Sequence, residues 1–230
     1  ASGGAWALFE QTGDIGDESG PFFRFDGYRA DFGDGYATSV RIYLDADMAT
    51  GEGFDYSVAS SSQSGGHLRD FIFHVTKDSD TGTILIGADN GTNFAPQNNL
   101  ETKNHGEVTA SGWYTFEHNF YENADGKLEV AMSVFDASGA WLFAEINSTS
   151  DDVATVVGGN RYGWFTNIDV TGGIRVDDIA LATSGDGDVR LMRGGVIFGE
   201  YDTPEEAALA VSDPADYIVD ADGVFHVFDG

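Results

Sequence analysis

Residues 112–135 read GWYTFEHNFYENADGKLEVAMSVF, two alternating segments around a turn. Tyr114, Phe116 and Phe120 fall on one side of the first segment, and Trp113, Thr115, Glu117 and Asn119 on the other. In the second, Leu128, Val130, Met132 and Val134 oppose Glu129, Ala131 and Ser133. Successive side chains leave a strand on opposite faces, so a period of two places one face of each segment in a core. Asn123-Ala-Asp-Gly126 supplies residues that tolerate positive φ or bond their own backbone. The stretch predicts a β-hairpin with one apolar face, which must be covered by a second layer.

The same alternation recurs along the chain. Val40, Ile42 and Leu44 point one way, and Arg41, Tyr43 and Asp45 the other. Phe54, Tyr56 and Val58 repeat the pattern, as do Phe71, Phe73 and Val75 against Asp70, Ile72, His74 and Thr76. Further strands are expected at 6–10, 22–32, 83–88, 141–146, 161–167 and 173–182. Residues 89–107 form an Asn-rich excursion too long for an ordinary connection, and so a candidate binding loop. Strands separated by turn signals, without interleaved helices, predict an all-β fold: an antiparallel two-sheet jelly-roll sandwich over residues 1–190. Residues 191–230 change character. Thr203-Pro-Glu-Glu offers an N-cap, a proline at the first helical position and two acids suited to the helix dipole. With strands expected at 195–201, 217–219 and 224–228, this part reads as a small strand–helix–hairpin appendage.

Charge narrows the partners. Thirty-nine acidic residues against 11 basic ones give −28 at pH 7. A fold of this size exposes on the order of 10,000 Å², or about one net negative charge per 360 Å². Such a surface repels nucleic acid and anionic membranes, because phosphate recognition needs clustered Lys and Arg. No apolar run is long enough for a membrane helix. High salt, calcium or a neutral partner would suit the surface, and a secreted, extracellular setting is expected. With no cysteine in the chain, thiol catalysis, disulfides and thiolate metal sites are excluded.

A first strand ending in Phe9-Glu10, a middle strand opening Gly112-Trp-Tyr-Thr, and a late strand Gly173-Ile-Arg-Val-Asp-Asp-Ile-Ala-Leu181 resemble jelly-roll carbohydrate-binding modules. Those modules are similar in shape to the concanavalin A-like lectins and glucanases. The glucanase Glu-x-Asp-x-x-Glu strand motif is absent, and only a loose Phe71-Ile-Phe-His74-Val echo of the alginate-lyase branch is present. The resemblance implies that the first and last strands pair and share a structural calcium, with Glu10, Asp177 and Asp178 as its ligands. Calcium takes six to eight hard oxygens, which adjacent strand ends can offer. The plainer reading is that consecutive aspartates guard an edge strand.

Three functions remain open at this point. For glycan binding, aromatic rings stack on sugar faces while amides and carboxylates bond hydroxyls. Trp113 and Trp141, on the polar side of their strands, are the favoured platforms. Tyr162 and Trp164 follow, with Asn93, Asn98, Asn99 and Asn104 from the long loop. For hydrolysis, Glu117 and Glu129 are expected roughly opposite each other on the hairpin, as paired carboxylates for acid and base or nucleophile. For a lyase, Arg41 would neutralise a uronate, while His74 and Tyr43 would move protons. A structural surface protein, self-assembling through calcium and edge strands, is the third class. The sequence favours the first: a secreted, calcium-stabilised protein that binds a polysaccharide or glycan, with neither nucleic acid nor membrane insertion involved.

Overall fold

The computed structural model describes residues 5–11, 13, 20–24, 35–61, 66–91, 99–151, 162–183, 189–193, 196–201, 216–219 and 225–227. In chain order its strands are β1 (Ala7–Phe9), β2 (Phe22–Arg24), β3 (Tyr36–Leu44), β4 (Gly53–Ser61), β5 (His67–Lys77), β6 (Ile84–Asp89), β7 (Gly106–Val108) and β8 (Gly112–Glu122). There follow β9 (Leu128–Phe135), β10 (Trp141–Ser148), β11 (Tyr162–Asp169), β12 (Ile174–Thr183), β13 (Val189–Arg193), β14 (Val196–Tyr201), β15 (Asp216–Val219) and β16 (Phe225–Val227).

Two antiparallel six-stranded sheets form the sandwich, in the orders β1-β12-β3-β8-β9-β10 and β2-β11-β4-β5-β6-β7. The chain alternates between them at its start and close, which is the jelly-roll path. A four-stranded sheet, β14-β13-β15-β16, is made by the C-terminal residues. The helix expected from Thr203 onward lies outside the described residues, as does the extended stretch from Phe25 to Phe32.

The alternation explains the core. Val40, Ile42, Phe116, Val130, Met132 and Val134 from the first sheet meet Phe54, Tyr56, Phe71, Phe73, Val75 and Phe165 from the second. Rings interlock across the gap: Phe73 meets Phe116 edge-on at 5.2 Å, and Phe71 meets Phe120 at 5.4 Å. Edge-to-face contacts of this kind add to the burial of area that drives the packing. Inside this layer sits His118, fully buried. Its Nε2–H donates to the Phe71 carbonyl at 3.0 Å, and its ring packs against Phe73 at 4.8 Å.

The hairpin at the centre of the sequence closes over residues 123–127. Asn123 Oδ1 accepts from the amides of Asp125 and Lys127, both at 3.0 Å, and Gly126 takes a φ of 71°. Along the side of the sandwich, β7 sits where the sheets converge. A Cβ on Gly106 would lie 2.8 Å from Phe143 Cβ and 2.9 Å from the Leu142 carbonyl oxygen, so β7 reaches β10 only because this residue is glycine. Gly106→Ala is therefore expected to cost about 1–3 kcal/mol, as other overpacking substitutions do. A lower urea midpoint would show it; an unchanged midpoint would mean that this edge is open.

Candidate functional site

The face of the first sheet turned away from the core carries a cross-strand ladder that the sequence shows only in pieces. Leu8 lies opposite Arg175, Arg175 opposite Tyr43, and Tyr43 opposite Trp113, one row across β1, β12, β3 and β8. The next row holds Asp177, Arg41, Thr115, Phe135 and Trp141. Two of the chain's 11 basic residues thus sit side by side, each over an aromatic ring. The Arg175 guanidinium lies 4.9 Å from the Tyr43 ring centre and 5.3 Å from that of Trp6; Arg41 lies 5.9 Å from Trp113. Tyr43 and Trp113 meet edge-on at 5.6 Å. Attraction between a guanidinium and a ring face keeps these side chains extended across the sheet, with N–H groups still available.

Beyond the second row the floor is made of small and polar groups. Ser39 opposes Glu117, which opposes Ser133, and Ala37 opposes Asn119, which opposes Ala131. All six are buried. A groove of about 590 Å³ opens over Ser39, Arg41 and Thr115. One wall is the Asp136–Gly139 turn, in which Asp136 Oδ1 accepts from Ser138 N, Ser138 Oγ and Ala140 N at 2.6–3.0 Å. Burial works against ionisation of Asp136, but these bonds outweigh it and hold the carboxyl below its ordinary range.

The other wall is a β-bulge. Asp177 pairs with Arg41 and Ala180 with Ser39, so β12 carries one residue more than β3 over that interval. Asp178 takes a φ of 48°, a left-handed conformation that is uncommon outside glycine. The bulge turns its carboxylate onto Arg41, with Nη1 donating to Oδ2 at 3.2 Å, and leaves Ile179 exposed. A second cavity, of about 410 Å³, lies at the end of the sandwich, with Tyr43 and Arg175 on its rim and Asp45, Asp47 and Glu52 in its wall.

Several expected groupings do not form. Glu117 lies opposite Ser133 and Glu129 opposite Tyr121, so the two glutamates share a face but stand four positions apart, about 13 Å along the strands. That exceeds the 5–9.5 Å or so that separates glycosidase carboxyls. Glu129 is moreover tied to Tyr121 Oη at 2.6 Å and Ser148 Oγ at 2.5 Å. Although burial pushes its pKa up, the hydrogen bonds from Ser148, Tyr121 and Asn123 prevail and lower it, which suits an ionised anchor rather than a proton donor.

The trio Arg41, Tyr43 and His74 is divided. Arg41 and Tyr43 are on the outward face of the first sheet, while His74 is on the outward face of the second, with the whole core between. His74 is 1% exposed. One ring nitrogen meets Asp55 at 2.6 Å and the other meets Asp89 at 3.1 Å; Asn167 Nδ2 donates to the far oxygen of Asp55 at 2.7 Å. Burial alone would favour the neutral ring, but the hydrogen bonds and charges of Asp55 and Asp89 raise its pKa to about 9. It is a buried imidazolium held by two strands, with neither nitrogen left to act as a base.

Glu10, Asp177 and Asp178 do not converge either. β1 does pair with β12, but Phe9 lies opposite Ile174, which sets Glu10 beside Gly173 and four positions from Asp177. Asp178 is committed to Arg41. These residues do not fit a shared calcium, and among the described residues no three His, Cys, Asp or Glu side chains gather closely enough to hold a metal ion.

Of the aromatic candidates, Trp113 and Trp141 share the outward face of the first sheet. Trp141 is 44% exposed and stacks on Phe135 at 6.0 Å. Trp164 belongs to the other sheet, where its Nε1 donates to the Gly20 carbonyl at 3.2 Å. Tyr162 stands opposite Arg24 on the same strand as Trp164. Asn99 is exposed at the start of a 3-10 turn, Leu100–Thr102. Asn104 donates to the Ala144 carbonyl at 2.9 Å and to Glu145, while Asn93 and Asn98 lie outside the described residues. Sequence reading missed Arg175, Trp6 and the bulge. Arg175 lies in phase with Asp177 on its strand, but only the register with β3 shows it facing Tyr43.

No protein-family model matches the chain, and no curated protein matches it. Among solved structures it is similar to alginate lyase Aly36B, with a TM-score of 0.45 and 11% identity over 72% of this chain and 75% of that one. A double mutant of that enzyme in complex with alginate tetrasaccharide gives a TM-score of 0.44 at 11% identity, covering 72% and 75% of the two chains. Another, in complex with alginate trisaccharide, gives 0.42 at 11% identity, covering 73% and 76%.

Proposed function

We propose that the protein binds a polysaccharide on the outward face of its first sheet, along the ladder Arg175–Tyr43–Trp113 and the groove beside Arg41. The observation that carries this reading is the ladder itself, in which two guanidiniums and three aromatic rings form one surface beside a floor of small and polar side chains. Rings give a sugar its apolar platform, and guanidinium N–H groups bond hydroxyl or carboxylate oxygens. Turnover of that polysaccharide is the second reading: among the described residues Glu117 and Glu129 stand apart and His74 lies on the other sheet from Arg41 and Tyr43, so the ladder supports binding and leaves a catalytic set unassigned. An extracellular setting goes with this reading and with the charge.

The test is affinity electrophoresis of the protein through a panel of neutral and uronate-containing polysaccharides, with an assay for chain shortening on every one that retards it. Trp113→Ala and Arg41→Ala should each weaken retention by about tenfold, the loss of roughly 1.4 kcal/mol, with little change in melting temperature. Shortening of a retained polysaccharide would instead identify a polysaccharide-degrading enzyme on this fold. Unchanged retention by both variants would place the binding surface elsewhere.

A further inference from the structure

Each arginine of the outward face is outnumbered by carboxylates at the place where a sugar would meet it. Arg41 stands opposite Asp177 in register, and its Nη1 donates to Asp178 Oδ2 at 3.2 Å. Asp177 Oδ1 in turn accepts from the Asp178 amide at 2.9 Å, which joins the two acids into one unit at the bulge. On the facing wall, Asp136 Oδ1 accepts from three donors, and bonds of that kind favour the ionised carboxyl. The charged side chains lining the groove are thus one guanidinium and two carboxylates. At the end cavity Arg175 is set against Asp45, Asp47 and Glu52.

This arrangement separates two things that a guanidinium offers. Its five N–H groups remain donors, and the bond to Asp178 takes one of them. Its charge, in contrast, is already matched by the carboxylate beside it. A hydroxyl oxygen can accept from the remaining N–H groups at no electrostatic penalty. A uronate approaching the same guanidinium would bring its carboxylate up to Asp178, with Asp136 on the other side, and like charges set against each other across an interface reject a ligand. The net charge of −28 adds repulsion at longer range.

We infer that the outward face takes a neutral polysaccharide in preference to a uronate-containing one, and that Asp178 sets this preference. The inference rests on the binding surface proposed above and names the class of its ligand. The bulge gives Asp178 this position. With Asp177 outward beside Arg41, regular alternation would turn residue 178 toward the core. The extra residue and the φ of 48° bring its carboxylate out onto Arg41 instead.

The experiment compares polymers that differ only at C6, by affinity electrophoresis at low salt. Every neutral polysaccharide that retards the protein is paired with its C6-oxidised form, and every polyuronate with its carboxyl-reduced form. The neutral member of a pair should be held at least about tenfold more tightly. That gap should narrow in molar NaCl, where the Debye length is about 3 Å. Asp178→Asn keeps a residue that tolerates positive φ and should close most of the gap. Asp125→Asn makes the same change in net charge in the exposed β8–β9 turn, at the other end of β9 from the groove, and should leave the gap as it is. A uronate form held as tightly as its neutral partner would overturn the inference while leaving the binding surface in place. Equal effects of D178N and D125N would overturn it too, by assigning the preference to net charge. Retention by no polymer of either kind would remove the binding surface itself, and the inference with it.

Discussion

Replacing Asp55 with alanine is expected to destabilise the protein by about 3–5 kcal/mol, the usual cost of leaving one member of a buried ion pair without its partner. Asp55 and His74 are both essentially inaccessible, and Asn167 completes the shell of Asp55, so water cannot take over. The same pair makes stability fall on the alkaline side. The folded pKa of His74, about 9, lies above its ordinary 6.5. Its contribution is therefore fully present below pH 6.5 and is lost as pH rises through about 9, a loss of about 3 kcal/mol. Asp89 has the opposite sense. Burial raises its pKa, but the bond and charge of His74 outweigh this and lower it, so its contribution is present above its ordinary 3.8 and is lost in stronger acid. Urea denaturation at a series of pH values checks this. His74→Gln should flatten the alkaline limb, and a wild type equally stable across that limb would refute a charged His74.

A second histidine governs the acid side. Burial drives the pKa of His118 down to about 3, with the Phe71 carbonyl opposing only in part. The unfolded chain takes up a proton near pH 6.5 that the native state refuses until about 3. Stability is thus intact above 6.5 and is lost as pH falls, by about 5 kcal/mol at the low end. Nδ1 of this ring is buried without a hydrogen-bond partner. His118→Leu should therefore cost about 1–3 kcal/mol at neutral pH, through the lost bond to Phe71, and should outlast the wild type in acid. Parallel acid curves for the two proteins would show that His118 titrates as freely in the fold as outside it. Together the two rings place the stability maximum close to the ordinary histidine pKa, each limb belonging to a residue on a different sheet.

Much of the architecture is legible in the sequence because one face of each strand is apolar. The phases of β3, β4, β5, β8 and β9 follow from alternation alone, and the core residues with them. What alternation leaves undetermined is register. Alternation and the turn residues place the two glutamates of the hairpin opposite each other, which requires a loop centred near residue 123. Asn123 instead caps a loop that runs to Lys127 and displaces the pairing by four positions. The resemblance names the right strand partners for β1, yet antiparallel register carries Glu10 to the far end of that short ladder.

His74 shows a different obstacle. Its two carboxylates come from neighbouring strands 19 and 15 residues away, and the polar positions around it are buried rather than wet. Alternation marks Asp55, Ser57 and Thr76 as outward and is right about direction. Outward is not exposed, however: all three are 1% accessible or less. The Arg–aromatic ladder was hidden for the same reason as the glutamate register, since each rung comes from a separate strand.

The place of β12 has a consequence in time. This strand supplies the partner of β1 and one side of β3, although it is the last strand of the sandwich to be made. Ribosomes add about 5–20 residues per second, so β3 waits on the order of 10 s for that neighbour. During that interval the first sheet can grow only in the other direction, through the consecutive hairpins β8-β9 and β9-β10. Val40, Ile42 and Leu44 then present their apolar face with one flank of their strand still unpaired. Such an edge is a template for a second nascent chain, and acidic residues dispersed along the sequence keep neighbouring chains apart until β12 arrives.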